Sequence, residues 1–167
     1  MIHSIILARG GSKGIKGKNL KIVGGKPLLF WSIKASLKSK RIHETWVSSD
    51  SEKIVNYSKK LGANTIRRPK SISNDKSTSE SAWLHAVNLI EKTHKIKTVI
   101  GIQPTSPIKS YNDLDEAINL FEKKKYDSLF SSMIIKDYCV WKKDKKFIAL
   151  YDYKNRKRRQ EFIKKYL

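Results

Sequence analysis

The sequence predicts an α/β domain with a mostly parallel sheet, and three observations carry that expectation. Strand-sized apolar runs alternate with helical patterns of about 10–15 residues, the signature of βαβ units. The first run ends directly in a glycine-rich break, as a sheet does where it meets a ligand. The 167 residues, 39% of them hydrophobic, suit one domain with a real core, read as 1–167.

The elements follow in order. Residues 2–8 read as a buried strand, because Ile5, Ile6 and Leu7 are continuous apolar residues. After the glycine-rich stretch, Pro27 fits the first turn of a helix carried by Leu28, Leu29, Trp31, Ile33, Ala35 and Leu37 to about Lys38. Residues 44–49 form a short strand ending in Ser48-Ser49-Asp50, and 51–60 a helix stopped by Gly62. Residues 64–67 are a third strand, closed by Pro69. Ser77-Thr78-Ser79-Glu80 has the form of a capping box, and the helix it opens would bury Trp83, Leu84, Val87 and Ile90. Residues 98–103 make a strand broken by Pro104-Thr105-Ser106-Pro107. A capped helix at 112–123 and a strand at 128–135 follow, then a small hairpin pairing 141–142 with 147–150. Ligands in such sheets bind beyond the carboxyl ends of the strands, so the loops there are the place to look.

Composition excludes several classes. No run approaches the ~18 apolar residues of a membrane helix. No basic region precedes the short apolar run at the N-terminus, so it does not read as a signal peptide. The single cysteine, Cys139, excludes an internal disulfide, and four scattered histidines lack zinc spacing. A soluble cytoplasmic protein is expected. Lys and Arg total 36 against 15 acids, a formal charge of +21. Only seven of the 36 are Arg, and the lysines are spread over the chain, as on a solvated surface. Residues 136–167 are the exception, with twelve basic and four acidic residues. An anionic nucleotide substrate and a polynucleotide both remain open as partners, the polynucleotide being the less favoured.

The stretch from Arg9 to Asn19 carries the chemistry. Four of the eight glycines lie in it, together with Arg9, Lys13, Lys16 and Lys18. Glycines let the backbone turn its N–H groups toward an anion, and four cations within ten residues repel one another unless an anion neutralises them. A triphosphate suits both features. The stretch is neither a Walker loop, since Ser12 and Asn19 replace required residues, nor a Gly-x-Gly-x-x-Gly turn. Asp50 at a strand end reads equally as a nucleotide neighbour and as a cap for the following helix. Asp113 and Asp115 look like a metal pair but sit in a helix first turn, where acids favour the dipole. The tryptophans at helical spacing read as core, and Cys139 has no histidine partner nearby.

Ala8-Arg9-Gly10-Gly11-Ser12-Lys13-Gly14, then Gly17-Lys18-Asn19-Leu20 and Gly25-Lys26-Pro27-Leu28, resembles the acylneuraminate cytidylyltransferases (CMP-sialic acid synthetases). The resemblance continues through Val47-Ser48-Ser49-Asp50-Ser51, Arg67-Arg68-Pro69 and Gln103-Pro104-Thr105-Ser106-Pro107-Ile108-Lys109, and ends at Arg159-Gln160. It implies a Rossmann-like, three-layer nucleotide-diphospho-sugar transferase fold and a CTP-dependent activation of a 2-keto sugar acid, giving a CMP-sugar and pyrophosphate with Mg²⁺ as cofactor. Arg9 and Lys18 are the implied catalytic cations. Ala8, Gly10, Gly11, Ser12, Asn19, Arg68, Ser79 and Ser81 are the implied nucleotide contacts beside them. Arg68 and Ser81, with Ser79 as the near alternative, would read the cytosine edge. Gln103, Arg159 and Gln160 would meet the sugar acid, and a homodimer is open. Lys109 stands where many relatives have Arg. The relatives' late metal-binding aspartates would fall after Leu167, so this length of chain is expected to be weakly active. The alternatives left open are the same chemistry on pseudaminic, legionaminic or 3-deoxy-octulosonic acid, an inactive nucleotide-binding protein, and a basic nucleic-acid-binding module.

Overall fold

The computed structural model describes residues 1–12, 14–74, 77–132, 134–135, 141–143, 147–149, 154 and 165–166. It falls into two compact units, Met1–Lys125 and Tyr126–Leu167.

In the first unit, β1 (Ile2–Leu7) leads through a glycine-rich loop to a two-residue hairpin, β2 (Ile22–Val23) and β3 (Lys26–Pro27). The hairpin turns on Gly24 and Gly25, both at positive φ, which two-residue turns of this kind require. Helix α1 (Leu28–Lys38) follows, with Pro27 at its N-cap rather than inside its first turn. Then come β4 (Glu44–Ser49), α2 (Glu52–Lys60), β5 (Asn64–Arg67), α3 (Ser79–Ile90), β6 (Thr98–Ile102) and α4 (Tyr111–Lys124). The main sheet runs β5-β4-β1-β6 with every pair parallel, as the sequence predicts.

The alternation of β1 builds a core on each face. Ile6 packs with Leu29 and Ile33 of α1, Val47 of β4, Ile54 of α2 and Ile102 of β6, and Leu114 of α4 lies against them. Ile5, on the other face, packs with Ile66 of β5 and with Ala86 and Ile90 of α3. Two cores around one sheet give the helix–sheet–helix layering. Because β1 is central, its carboxyl end is held on both sides and the loop after it has a rigid base.

Several local expectations are corrected. Helix α3 is capped by Thr78, whose hydroxyl accepts the Ser81 N–H, not by Ser77. Leu84, expected to be buried, faces outward at 63% exposure, while Ala82 and Ala86 are buried instead. The strand expected at 128–135 is confined to β7 (Ile134–Ile135), in the second unit. There β7 pairs antiparallel with β10 (Lys165–Tyr166), while β8 (Trp141–Lys143) and β9 (Phe147–Ala149) form the expected hairpin. Cys139 and most of the basic tail lie outside the described residues.

The two aspartates of α4 are both occupied. Asp113 completes a capping box with Ser110. Asp115 accepts the Ser39 hydroxyl and the N–H groups of Lys40 and Arg41, tying the end of α1 to α4. Partial burial raises its pKa, but the Ser39 hydroxyl, those N–H groups and the Arg41 charge outweigh burial and hold it below the ordinary carboxylate value. A depressed pKa stabilises the fold above the unfolded value, about 3.9, and that contribution is lost as pH falls through the folded value. Asp115→Ala should therefore cost about 1.5–3 kcal/mol at pH 7, and less at pH 3, in denaturant melts. An equal loss at both pH values would show that the carboxylate charge contributes nothing.

Candidate active site

From β1 the chain steps outward to β4 and β5 on one side, then returns to place β6 on the other. The carboxyl ends of β1 and β6 thus flank the point where strand order reverses, the usual position of a ligand crevice. A cavity of about 300 Å³ opens there.

The end of β5 supplies its first wall. Arg68 follows β5, its backbone N–H held by the Ser49 carbonyl at 2.8 Å. The guanidinium is buried, and its Nε donates to Ser73 Oγ at 3.1 Å. Ser73 in turn donates to the Pro69 carbonyl at 2.8 Å, closing the short turn after Pro69 around the arginine. Burial pushes the Arg68 pKa down, Asp50 draws it back up, and Arg9 pushes it down again. A buried cation beside a second cation is costly unless an anion or a polar ligand faces it.

The loop after β1 supplies the floor. Gly10 donates its N–H to Asp50 Oδ1 at 2.8 Å, so Asp50 anchors the loop. Neither expected reading of Asp50 covers this contact, and the cap position of α2 belongs to Ser51. Asn19 is buried and its side-chain amide donates to the Arg9 carbonyl at 2.9 Å, bracing the loop from its far end. Gly17, at φ 65°, starts the 3-10 turn Lys18–Leu20 that carries Lys18 back to the cavity. Arg9, Ser12, Lys18 and Asn19 all line it.

The third wall is Gln103-Pro104-Thr105, directly after β6, and Ser79 lies with Ser77 and Thr78 at the start of α3. The structure therefore brings together Arg9, Ser12, Lys18, Asn19, Arg68, Ser79 and Gln103 from the sequence-derived set. Ala8 is buried in the core and Gly10 is bound to Asp50, so both support the loop from behind. Gly11 and Ser81 are not in the lining, and the Ser81 hydroxyl donates back to the Thr78 carbonyl. Arg159 and Gln160 lie outside the described residues, as does Lys13, whereas Lys16 is exposed and does not line the cavity. Sequence reasoning missed Ile72, Ser73 and Asn74. Their signal was a polar run directly after a strand end, in the region the crevice rule singles out.

The lining offers cations, hydroxyls and amides, and among the described residues no carboxylate. No described group of three His, Cys, Asp or Glu side chains is arranged to hold a metal. Magnesium bound by protein takes one or two carboxylates with substrate phosphates, and the described lining of this cavity supplies none of those carboxylates.

Comparison with known proteins gives the family and the fold. The profile of the family described as Cytidylyltransferase matches residues 3–161. Over 131 residues the chain is 39% identical to N-acylneuraminate cytidylyltransferase A of Danio rerio, covering 78% of this chain and 30% of that protein. It is 35% identical over 130 residues to a pseudaminic acid cytidylyltransferase of Campylobacter jejuni, covering 77% and 56% of the two chains. The chain thus spans about a third to a half of the length of these relatives. Among solved structures, a CMP:2-keto-3-deoxy-manno-octonic acid synthetase complexed with CTP superposes with a TM-score of 0.61 at 21% identity. That superposition covers 74% of this chain and 48% of the other, and it establishes the fold.

Proposed function

Because the chain belongs to the cytidylyltransferase family, we propose that it transfers a cytidylyl group from CTP to a 2-keto sugar acid of the sialic acid type, releasing pyrophosphate. The observation that carries this reading is the division of the cavity. A buried arginine and small hydroxyl residues stand at the β5 side, two cations on a braced loop at the centre, and an amide side chain at the β6 side.

That division matches the parts of the reaction. A pyrimidine edge presents carbonyl acceptors that a guanidinium and hydroxyls can read, so Arg68 and Ser79 bind the base. Arg9 and Lys18 hold the phosphates and offset the charge that grows on the departing pyrophosphate. The anomeric hydroxyl of the sugar acid attacks the α-phosphorus from the Gln103 side. It forms the new P–O bond as the bond from the α-phosphorus to the bridging oxygen breaks; pyrophosphate leaves, and the hydroxyl proton passes to solvent. No protein nucleophile takes part. Magnesium belongs to the proposal as an ion that accompanies a nucleoside triphosphate, and none of these steps is assigned to it.

Pyrophosphate release from CTP, measured with a panel of 2-keto sugar acids, tests the reaction. Binding is tested separately by calorimetry, where CTP is expected to bind at least about tenfold more tightly than ATP. One buried polar group left unpaired by the wrong base costs about 1–3 kcal/mol. Equal affinities would remove Arg68 and Ser79 from base reading. Steeply salt-dependent binding of RNA, without base-selective CTP binding, would favour the nucleic-acid module instead.

A further inference from the structure

Lys109 has a surrounding that stability alone does not explain. Its ammonium donates to the Gln103 carbonyl at 3.0 Å and to Ser32 Oγ at 3.3 Å. Ser32 is fully buried on α1, and burial pushes the Lys109 pKa down. Among the described residues no carboxylate pairs with Lys109, and nearby Asp113 is engaged with Ser110. Half-burying an ammonium against one carbonyl and one hydroxyl gains little stability over an apolar side chain of similar volume. What the contact does supply is geometry. The Gln103 carbonyl accepts a second bond, from the Ser106 N–H at 3.3 Å, and the Lys109 N–H bonds the Pro107 carbonyl at 3.0 Å. The segment from 103 to 109 is thereby folded around the carbonyl of the residue that forms the third wall of the cavity, and clamped to α1.

We propose that Lys109 is a positioning residue: its ammonium fixes Gln103 against α1 and so shapes the part of the cavity that receives the sugar acid. The assignment to the acceptor side rests on the functional reading above. With the base at Arg68 and the phosphates at the β1 loop, the strand order β5-β4-β1-β6 leaves the β6 side for the acceptor. The clamp itself does not depend on that reading.

Three variants test it: Lys109→Met, which keeps an unbranched chain of nearly the same length and loses the charge; Lys109→Arg, which can still donate to a carbonyl and a hydroxyl; and Ser32→Ala, which removes one anchor. In Lys109→Met the kcat/KM for the sugar acid should fall about 10–100-fold, the scale of a misplaced contact residue. Its calorimetric affinity for CTP should stay within about twofold, since Arg9, Lys18 and Arg68 are untouched, a difference well under 1 kcal/mol. Lys109→Arg should recover most of the loss. Ser32→Ala should show a smaller loss in the same direction, and it reports on the clamp even if Lys109→Met fails to fold. Amide hydrogen exchange over 103–109 should speed up in Lys109→Met and in Ser32→Ala. A uniform loss of CTP and sugar-acid binding, or no loss of either, overturns the positioning role. Should the unaltered chain release no pyrophosphate, the functional reading fails, and the exchange data alone decide the clamp. Unchanged exchange over 103–109 in both variants overturns it.

Discussion

Lys18→Ala is expected to lower kcat by about 10²–10³-fold while leaving the fold intact, by analogy with removal of one preorganised donor from a developing charge. Lys18 stands at the start of the 3-10 turn, and its backbone is held independently of its side chain. Its N–H donates to the Ile15 carbonyl at 3.1 Å, and its carbonyl accepts from Lys21 at 3.1 Å. Gly17 sets the turn and Asn19 braces Arg9, so truncating Lys18 removes the charge and keeps the scaffold. The melting temperature should barely move, because a partly exposed side chain without core contacts changes stability by about 0.5 kcal/mol or less. Lys16→Ala serves as the internal control. It carries the same charge in the same loop but is exposed and outside the lining, so its kcat should be unchanged. Equal losses in the two variants would mean that the loop acts through bulk charge rather than contact, and an active Lys18→Ala would place the phosphates elsewhere.

The difference between Lys16 and Lys18 also marks how far the sequence could be read. The central strand β1 was legible because a strand buried on both faces reads as a continuous apolar run, and the crevice followed from the alternation of strands and helices. Arg9 and Lys18 were legible as cations in a glycine-rich stretch after a strand, whereas Arg68 and Gln103 were marked by the resemblance to the cytidylyltransferases. Bonds between distant residues were not legible. Asn19 was expected at the nucleotide; it lines the cavity, and its side-chain amide also donates to the Arg9 carbonyl, a partner ten residues away that no local pattern reveals. Asp50 was read for its position after a strand, whereas its partner is Gly10, forty residues earlier. The capping register of α3 was ambiguous because Ser77, Thr78 and Ser79 are all competent caps. Thr78 takes the role, and Ser79, not Ser81, lines the cavity. The hairpin β2–β3 has strands of two residues, too short for any alternation, although Gly24-Gly25 was a visible turn signal.

Gly10→Ala should cost about 10²-fold in kcat/KM for CTP, and for a steric reason rather than a conformational one. Gly10 is not among the positive-φ glycines, so alanine can adopt its backbone angles. The obstacle is space: a Cβ on Gly10 would lie 2.7 Å from Ser51 Cβ and 3.3 Å from Ser51 Oγ. Ser51 cannot readily retreat. Its N–H is held by Ser49 Oγ at 3.0 Å, and its carbonyl accepts the Val55 N–H at 3.0 Å in the first turn of α2. The loop must therefore move instead, stretching the 2.8 Å bond from Gly10 to Asp50 and carrying Arg9 with it. A displacement of about 1 Å at a positioning group is enough for a loss of that size. Overpacking against α2 should add about 1–3 kcal/mol of destabilisation, visible as a lower melting temperature. Ser51→Gly removes both clashing atoms, so the double variant Gly10→Ala/Ser51→Gly should recover most of the CTP turnover that Gly10→Ala loses. Its melting temperature should recover less, since glycine next to α2 brings its own entropic cost. If Gly10→Ala is as active as the unaltered chain, the loop tolerates displacement and Arg9 is not held where the phosphates need it. If the double variant is no better than Gly10→Ala, the close approach to Ser51 is not what requires glycine here.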